Sequence, residues 1–181
     1  MTVKTIGIAG GIGSGKSTVT EYLRKKGYVV IDADEVSHAV TEAGQPAPGE
    51  IAELFGPETL LPGGSLDRRY MADIVFRDEA KLKSLNAILH KYIEEEVDTA
   101  LQAAKSSGPV FLSAPLFFEA NYERKTDEVW LISAADEIRI RRAAARDNAD
   151  EQAIIARMEK QMPESERRER ADIIIENNAT A

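Results

Sequence analysis

The chain has 181 residues, no cysteine and a net charge of −8, and a chain of this length fits one domain that buries about 70% of its unfolded surface without disulfides. The acidic balance argues against general nucleic-acid binding, which depends on a basic face that neutralises phosphates. No apolar run approaches the ~20 residues of a membrane helix, and strand-like sequence follows residues 1–4 without room for a signal segment, so we expect a cytoplasmic protein that does not enter a membrane.

The first predicted elements surround a phosphate-binding motif. A buried strand is predicted at residues 5–9, and a helix from Ser17 to a capping glycine, Gly27. Between them, residues 10–17 read GGIGSGKS and fit G-x-x-x-x-G-K-[ST], the P-loop pattern. Glycines let such a loop bring its N–H groups close to phosphate oxygens, Lys16 would reach the β- and γ-phosphates, and the Ser17 hydroxyl would ligate Mg²⁺. The sequence therefore predicts a site for a nucleoside triphosphate with Mg²⁺.

Two carboxylates follow the second predicted strand, at residues 28–31. Asp32 and Asp34 lie just beyond its carboxyl end, which is the side of a parallel sheet where ligands bind. Asp34 also precedes the helical run of residues 35–40, so it can instead act as a helix N-cap. Both residues are therefore candidates for the edge that holds the phosphates.

A long helical segment is predicted at residues 35–107, interrupted at 44–49, 56–57 and 62–64 by glycine and proline. It contains no strand candidate and is too long for a single crossover helix. One apolar stripe at helical spacing comprises Leu82, Leu85, Ile88, Leu89, Tyr92, Ile93, Val97 and Leu101. We interpret this segment as a helical, substrate-binding insertion between strands.

Three further strands are predicted at residues 110–113, 128–133 and 173–175. Between the last two, we predict three helices: one capped by Asp136 or Ser133 and running to Arg146, one capped by Asp150 and running through Met162, and one opened by Pro163. The predicted fold is α/β, with a five-stranded parallel sheet flanked by helices. Its core comprises residues 1–34, 108–136 and 171–181, with the insertion at about 35–107 and a helical lid at about 137–170.

Arginine is concentrated in the C-terminal part of the chain. Most of these side chains are expected to form a solvated helical surface with Glu and Asp. One or two could instead face phosphates, because a guanidinium binds phosphate oxygens in a fork that lysine cannot form. Eight of the thirteen arginines fall there, namely Arg139, Arg141, Arg142, Arg146, Arg157, Arg167, Arg168 and Arg170.

The motifs, taken in order along the whole chain, resemble the dephospho-coenzyme A kinase family. They are GGIGSGKST at 10–18, IDAD at 31–34, LDR at 66–68, LH at 89–90, APL at 114–116 with Glu119, Arg142 through Asp147, QMP at 161–163, and AD at 171–172 with Asn177. The resemblance implies a P-loop kinase core, ATP as co-substrate with Mg²⁺, and dephospho-coenzyme A as acceptor. The acidic charge and the lack of a long apolar run predict no nucleic-acid or membrane partner. We expect a monomer or a weak homo-oligomer.

The resemblance also implies roles for particular residues. Gly11, Gly13, Ser14, Gly15, Lys16, Ser17 and Thr18, with Arg146 and Asn177, would bind ATP. Asp34 would be the base that faces the ribose 3′-hydroxyl, with Asp32 as the rival for that role or for a water-mediated Mg²⁺ contact. Arg142 would be the lid arginine. Arg68 and His90 would contact the acceptor, although Arg68 could simply pair with Asp67 or another acid, and His90 could be a structural hydrogen-bonding group.

Three features depart from the family pattern. Lys91 follows the histidine where proline is usual, and Ser113 stands where many relatives have an aspartate at the strand end. The chain also ends soon after Asn177, whereas the family commonly adds a closing helix.

Two other functions compete with this interpretation. Another P-loop kinase with a small-molecule acceptor would share the features up to Asp34 but would not need the long insertion. A switch or motor ATPase would hydrolyse its nucleotide without an acceptor, yet the sequence has no Asn-Lys-x-Asp guanine-reading motif. The dependence of turnover on an acceptor distinguishes these functions.

Overall fold

The computed structural model describes residues 4–76, 78–104 and 108–179, and in them one parallel sheet of five strands. The strand order is β2-β3-β1-β4-β5. The predicted fold class is confirmed, and each predicted strand is present within one residue of its expected ends. The strands are β1 Thr5–Ala9, β2 Val29–Asp32, β3 Val110–Ser113, β4 Glu128–Ser133 and β5 Ile173–Glu176.

Eight helices accompany this sheet in the described part of the chain. They are α1 Lys16–Lys25, α2 Ala33–Ala39, α3 Pro46–Phe55, α4 Arg68–Val75, α5 Glu79–Ala104, α6 Asp136–Asp147, α7 Glu151–Met158 and α8 Glu164–Arg170, with two 3₁₀ turns at Pro57–Thr59 and Tyr122–Lys125. Across residues 4–76, 78–104 and 108–179, no helix has both the length and the apolar character needed to cross a bilayer.

The chain divides into two compact units. The first comprises Met1–Asp32 and Ala103–Ala181, and the second comprises Ala33–Gln102. The first therefore contains the whole sheet, and the second contains α2 to α4 and nearly all of α5. The end of the predicted insertion, Ser107, lies outside the described residues.

An apolar core fills the first unit on the faces of the sheet. Ile8 of β1 and Ile132 of β4 are completely buried, and both pack with Leu23 of α1. Phe111 of β3 meets the rings of Tyr28 and Trp130 edge to face at 5.5 and 5.6 Å. Buried side chains of β1, β3 and β4 therefore fix the strands from which the phosphate-binding loop emerges.

The second unit has a separate core, formed where α3, α4 and α5 meet. Its buried members are Ile51, Leu66, Met71, Val75, Leu85 and Ile88. Most of the predicted stripe on α5 faces inward, but Leu82 is 41% exposed, so its place in the stripe was wrong. Leu82 is the fourth residue of α5 and precedes Leu85, the first residue of that helix in the buried core.

Two helix boundaries differ from those predicted. The break predicted at residues 44–49 is shorter, because α3 begins at Pro46 and continues through Gly49. Proline is tolerated in a first helical turn, where its missing N–H would have no intrahelical partner. The helix capped by Asp150 is confirmed at its start but ends at Met158, four residues before Met162.

The predicted cap of α6 was also wrong. Asp136 is its first helical residue, Ala135 occupies the cap position without a side-chain bond, and Ser133 donates its hydroxyl to Glu164. The Asp136 carboxylate instead accepts a hydrogen bond from Arg139 at 2.9 Å.

The register of the strands brings their carboxyl ends to one edge. Ser113, the last residue of β3, is paired with Ile8 of β1 on one side and with Asp32 of β2 on the other. The loop that follows β1 therefore starts beside Ser113, and Asp32 lies one strand further along the same edge. This is the edge at which open parallel sheets bind ligands.

Candidate active site

The P-loop lies between β1 and α1, as predicted. The N–H of Ser14 donates to the carbonyl of Gly11 at 3.1 Å, which closes a tight turn, and Gly13 has φ +73°. The helix that follows has no acidic residue in its first turn, so its positive N-terminal end is not offset locally. This strand, loop and helix form the geometry that receives phosphates in P-loop proteins.

Lys16 begins α1 and extends towards the end of β3. Its Nζ donates to Ser113 Oγ at 3.2 Å, and Ser113 is completely buried. The serine at this position adds no negative charge of its own beside the ammonium. The structure thus brings Lys16 to the carboxyl edge of the sheet, where the P-loop pattern requires it.

The hydroxyl groups of the loop are not equivalent. Ser17 and Thr18 are exposed on the first turn of α1, so both can reach a ligand. Ser14 is 1% exposed, and its hydroxyl has no hydrogen-bond partner among the described residues. Ser14 therefore differs from Ser17 and Thr18, since its hydroxyl is buried within the loop and its N–H and carbonyl are bonded to Gly11 and Asn177.

Two arginines that the sequence did not single out are buried beside this loop. Arg139 is 2% and Arg167 is 5% exposed. The Nε of Arg139 donates to the carbonyl of Ile12 at 3.0 Å, and both guanidinium groups pack so closely on Gly11 that a Cβ there would lie 2.3 and 2.5 Å from their nitrogens. The available signal was helical spacing, because Arg139 precedes the buried Ala143 by four residues.

A carboxylate compensates these buried charges. Glu164 Oε2 lies 3.1 Å from Arg167 Nη2 and 3.8 Å from Arg139 Nη1. Burial lowers the pKa of Arg167, Glu164 acts in the opposite direction, and the neighbouring Arg139 lowers it further. Guanidinium stays protonated at neutral pH in spite of such a shift, so this group is a fixed cluster of charge beside the loop.

Two polar side chains from distant parts of the chain also hold the loop. Gln161 Oε1 accepts the N–H of Ile12 at 3.0 Å, and Asn177 Nδ2 donates to the carbonyl of Ser14 at 2.9 Å. Asn177 was predicted to lie at the ATP site and does lie against the P-loop. Gln161 belongs to the QMP run of the family resemblance, but its role could not be read from sequence.

The predicted lid arginines are engaged in different ways. Arg142 donates to the carbonyls of Asn177, at 2.9 Å, and Ala179. Arg146 is exposed at the end of α6 and contacts Asp147 at 2.7 Å, as does Arg157 of α7. The hydrogen bonds from Arg146 and Arg157 lower the pKa of Asp147 to about 2.

In the second unit, Asp34 lies in the first turn of α2. Arg68 donates to the carbonyl of Ser37 at 2.6 Å and to Thr41 Oγ1 at 2.9 Å. The sequence suggested that Arg68 could pair with Asp67. The Asp67 carboxylate instead caps α4 by accepting two N–H groups of that helix. Arg68 thus links α4 to the end of α2.

His90 lies on α5, on the wall of a cavity of about 470 Å³. The other lining residues are Glu79, Leu82, Lys83, Asn86 and Ala87. At the next position, Lys91 continues α5 and pairs with Glu50 at 3.0 Å. The helix therefore runs through the position where the family usually has proline.

The side chains of the described residues offer few ligands for a metal ion. In residues 4–76, 78–104 and 108–179, no three or more His, Asp or Glu residues gather as a metal site. Mg²⁺ commonly keeps several waters and takes one or two protein ligands in addition to substrate phosphates. The exposed Ser17 beside Lys16 fits that mode of binding.

Comparison with known proteins identifies the family. The family model described as dephospho-CoA kinase matches residues 4–181. The chain belongs to the dephospho-CoA kinase family. A dephospho-CoA kinase of Acinetobacter baylyi is 42% identical over 173 residues, which are 96% of this chain and 88% of that protein. One of Shouchella clausii is 37% identical over 177 residues, 97% of this chain and 90% of that protein.

Solved structures agree with this assignment to the dephospho-CoA kinase family. A protein of Thermus thermophilus superposes with a TM-score of 0.84 at 38% identity, covering 99% of this chain and 91% of that one. A dephospho-CoA kinase from Campylobacter jejuni gives a TM-score of 0.74 at 27% identity, covering 97% and 89%. A shikimate kinase from Acinetobacter baumannii, at 19% identity and a TM-score of 0.54, shares the fold.

Proposed function

We propose that this protein transfers the γ-phosphoryl group of ATP to the ribose 3′-hydroxyl of dephospho-coenzyme A, which yields coenzyme A and ADP in the final step of coenzyme A synthesis. The observation that carries the proposal is an intact P-loop in a chain that matches the dephospho-CoA kinase model over residues 4–181. Phosphoryl transfer requires little covalent chemistry from the protein, so positioning and charge stabilisation are its main tasks.

The P-loop and the start of α1 would hold the phosphates. N–H groups of Gly11, Gly13, Gly15 and the following residues would approach the phosphate oxygens, and Lys16 would stabilise the charge that develops on the transferred group. Ser17 would ligate Mg²⁺, and Thr18 would add a polar contact. When bound with ATP, Mg²⁺ would neutralise negative charge on the β- and γ-phosphates.

Asp34 would act as the base. It follows the end of β2 by two residues, and an unprotonated carboxylate can accept the proton of a hydroxyl during transfer. Asp32, at the carboxyl end of β2, remains the rival for this role or for a water-mediated contact to Mg²⁺. Arg68 and His90 would contact the acceptor, which the second unit would bind.

The C-terminal elements would complete the ATP site. Asn177 would border the nucleotide next to the P-loop, which its amide already contacts. Arg142 would act as the lid arginine, and Arg146 would add a phosphate contact from the end of α6. We further propose that α6 to α8 form the lid, and that the protein acts in the cytoplasm as a monomer or a weak homo-oligomer.

The experiment that tests the function measures ADP release from ATP and Mg²⁺ with and without dephospho-coenzyme A, and identifies the product by mass spectrometry. We expect release that requires the acceptor and a product one phosphate heavier that matches coenzyme A. Release that is indifferent to the acceptor would indicate an ATPase. ATP binding without turnover would indicate a kinase with another acceptor.

A further inference from the structure

Three consecutive hydrogen bonds fix the orientation of the P-loop peptides in the structure. The Gly11 carbonyl accepts the N–H of Ser14, the Ile12 N–H is accepted by Gln161, and the Ile12 carbonyl accepts Nε of Arg139. The peptide group between Gly11 and Ile12 is therefore hydrogen-bonded at both its carbonyl and its N–H, and the peptide group between Ile12 and Gly13 is hydrogen-bonded at its carbonyl. The two side chains involved come from α6 and from the segment between α7 and α8.

The planarity of the peptide group gives these bonds a consequence for ligand binding. A carbonyl and the following N–H share one plane and point in opposite directions when the peptide is trans, and no described peptide is cis. Because Arg139 holds the Ile12 carbonyl, the N–H of Gly13 points away from Arg139. The carbonyl of Ser14 accepts a hydrogen bond from Asn177, so the N–H of Gly15 likewise points away from Asn177. These N–H groups are thus oriented without a ligand.

Arg139 and Gln161 are themselves held in place. The Nη1 of Arg139 donates to Asp136 at 2.9 Å, and the side chain is almost completely buried. The N–H of Gln161 donates to the carbonyl of Met158 at 3.0 Å, and the next N–H, of Met162, donates to Glu119 Oε1 at 2.9 Å. The Arg139 side chain and the main chain that carries Gln161 are therefore fixed in place, so little reordering is needed to keep the loop in this form.

We propose that Arg139 and Gln161 are positioning residues for ATP, which act by holding the two peptide groups that flank Ile12. This inference rests on the proposed function, since it concerns the same P-loop. Neither side chain needs to touch the nucleotide. Their effect is to present the N–H groups of the loop in the orientation that phosphate oxygens require, so that binding does not have to order them.

The positioning role of Gln161 is tested by calorimetric titration of the Gln161→Met variant with ATP and Mg²⁺, in the absence of any acceptor. This variant keeps the length of the side chain but removes the acceptor of the Ile12 N–H. We expect the Kd for ATP to rise about tenfold, while the Kd for dephospho-coenzyme A stays within about twofold. The matched control is Gln152→Met, at an exposed glutamine of α7, which should leave both constants unchanged.

A second pair of variants tests Arg139 in the same assay. Arg139→Lys keeps the charge but replaces the two nitrogens that bond Ile12 and Asp136 with a single one, whereas Arg141→Lys changes an exposed arginine of the same helix. We expect a rise of about tenfold in the Kd for ATP in the first variant only. If Gln161→Met does not fold, Gln161→Asn, which withdraws the amide by one methylene, replaces it.

Two results would overturn the inference. One is an unchanged Kd for ATP in folded Gln161 and Arg139 variants, and the other is an equal loss of affinity for both substrates, which is what general loosening of the structure would produce. A wild-type protein that binds no ATP would instead contradict the proposed function. The two failures are therefore distinguishable.

Discussion

The close approach of α6 to the P-loop can be tested at Gly13 with Gly27 as a matched control. Both glycines have positive φ, +73° and +85°. A Cβ at Gly27 would have no atom within 4 Å, whereas a Cβ at Gly13 would lie 2.1 Å from the main-chain carbonyl oxygen of Arg139. Alanine at the two positions therefore separates the cost of the backbone conformation from the cost of lost space.

The expected magnitudes differ accordingly. Gly27→Ala should cost about 1–2 kcal/mol for the left-handed conformation, which lowers the Tm by roughly 2–8 °C in a chain of this size, with activity unchanged. Gly13→Ala adds an overlap that no side-chain rotation can relieve. The loop and α6 must separate by about 1 Å, and a displacement of that size near the reacting groups lowers kcat/KM by about a hundredfold.

The assay measures kcat/KM for ATP at saturating dephospho-coenzyme A, together with thermal unfolding of both variants. We expect a similar loss of stability from backbone strain in the two variants, but a large loss of catalytic efficiency only in Gly13→Ala. A Gly13→Ala enzyme whose kcat/KM stays within about threefold of the Gly27→Ala enzyme would refute the argument from close approach. So would an equally large loss of activity in Gly27→Ala.

Three further predictions concern charged residues. Lys16→Ala should lower turnover by at least about a hundredfold, because the ammonium is proposed to stabilise charge that develops in the transition state; near-normal kinetics would contradict its assignment. Asp34→Asn should reduce kcat more than it weakens ATP binding in titrations, and abolition of turnover by Asp32→Asn alone would reverse the two roles. Asp147, whose pKa is held at about 2 by two arginines, should add stability that is present above pH ~4 and is lost as the pH falls towards 2. Asp147→Asn should flatten this part of the curve of unfolding free energy against pH, and an unchanged slope would show that the ion pairs do not form in solution.

The elements that sequence predicted well are those with local causes. The P-loop follows from eight consecutive residues, its flanking strand and helix follow from the apolar pattern on either side, and the cap at Asp150 follows from the run that it precedes. Asp136 is likewise an aspartate near the start of a helical run, yet it lies inside α6 because the backbone of Ala135 is already at the cap position. Only the path of the chain before the helix decides which of two neighbouring residues becomes the cap.

The residues that hold the P-loop were harder to predict because their roles are tertiary. Arg139 and Arg141 are two positions apart on one helix, but the first is buried and the second is exposed. The four-residue spacing from Ala143 indicates that Arg139, not Arg141, faces inward. The neighbouring sequence does not indicate which residues Arg139 contacts. Gln161 has no local signal at all, since the N–H that it accepts lies about 150 residues earlier.

Arg142 differs from the neighbouring arginines in the kind of group that it bonds. Arg146 and Arg157 share Asp147, and Arg167 pairs with Glu164, so carboxylates offset those charges. The bonds of Arg142 to Asn177 and Ala179 end on neutral carbonyls. A guanidinium binds phosphate more strongly than it binds a carbonyl. Exchange of these carbonyls for phosphate oxygens of ATP would therefore be favourable, which supports the proposal that Arg142 is the lid arginine of this protein of net charge −8.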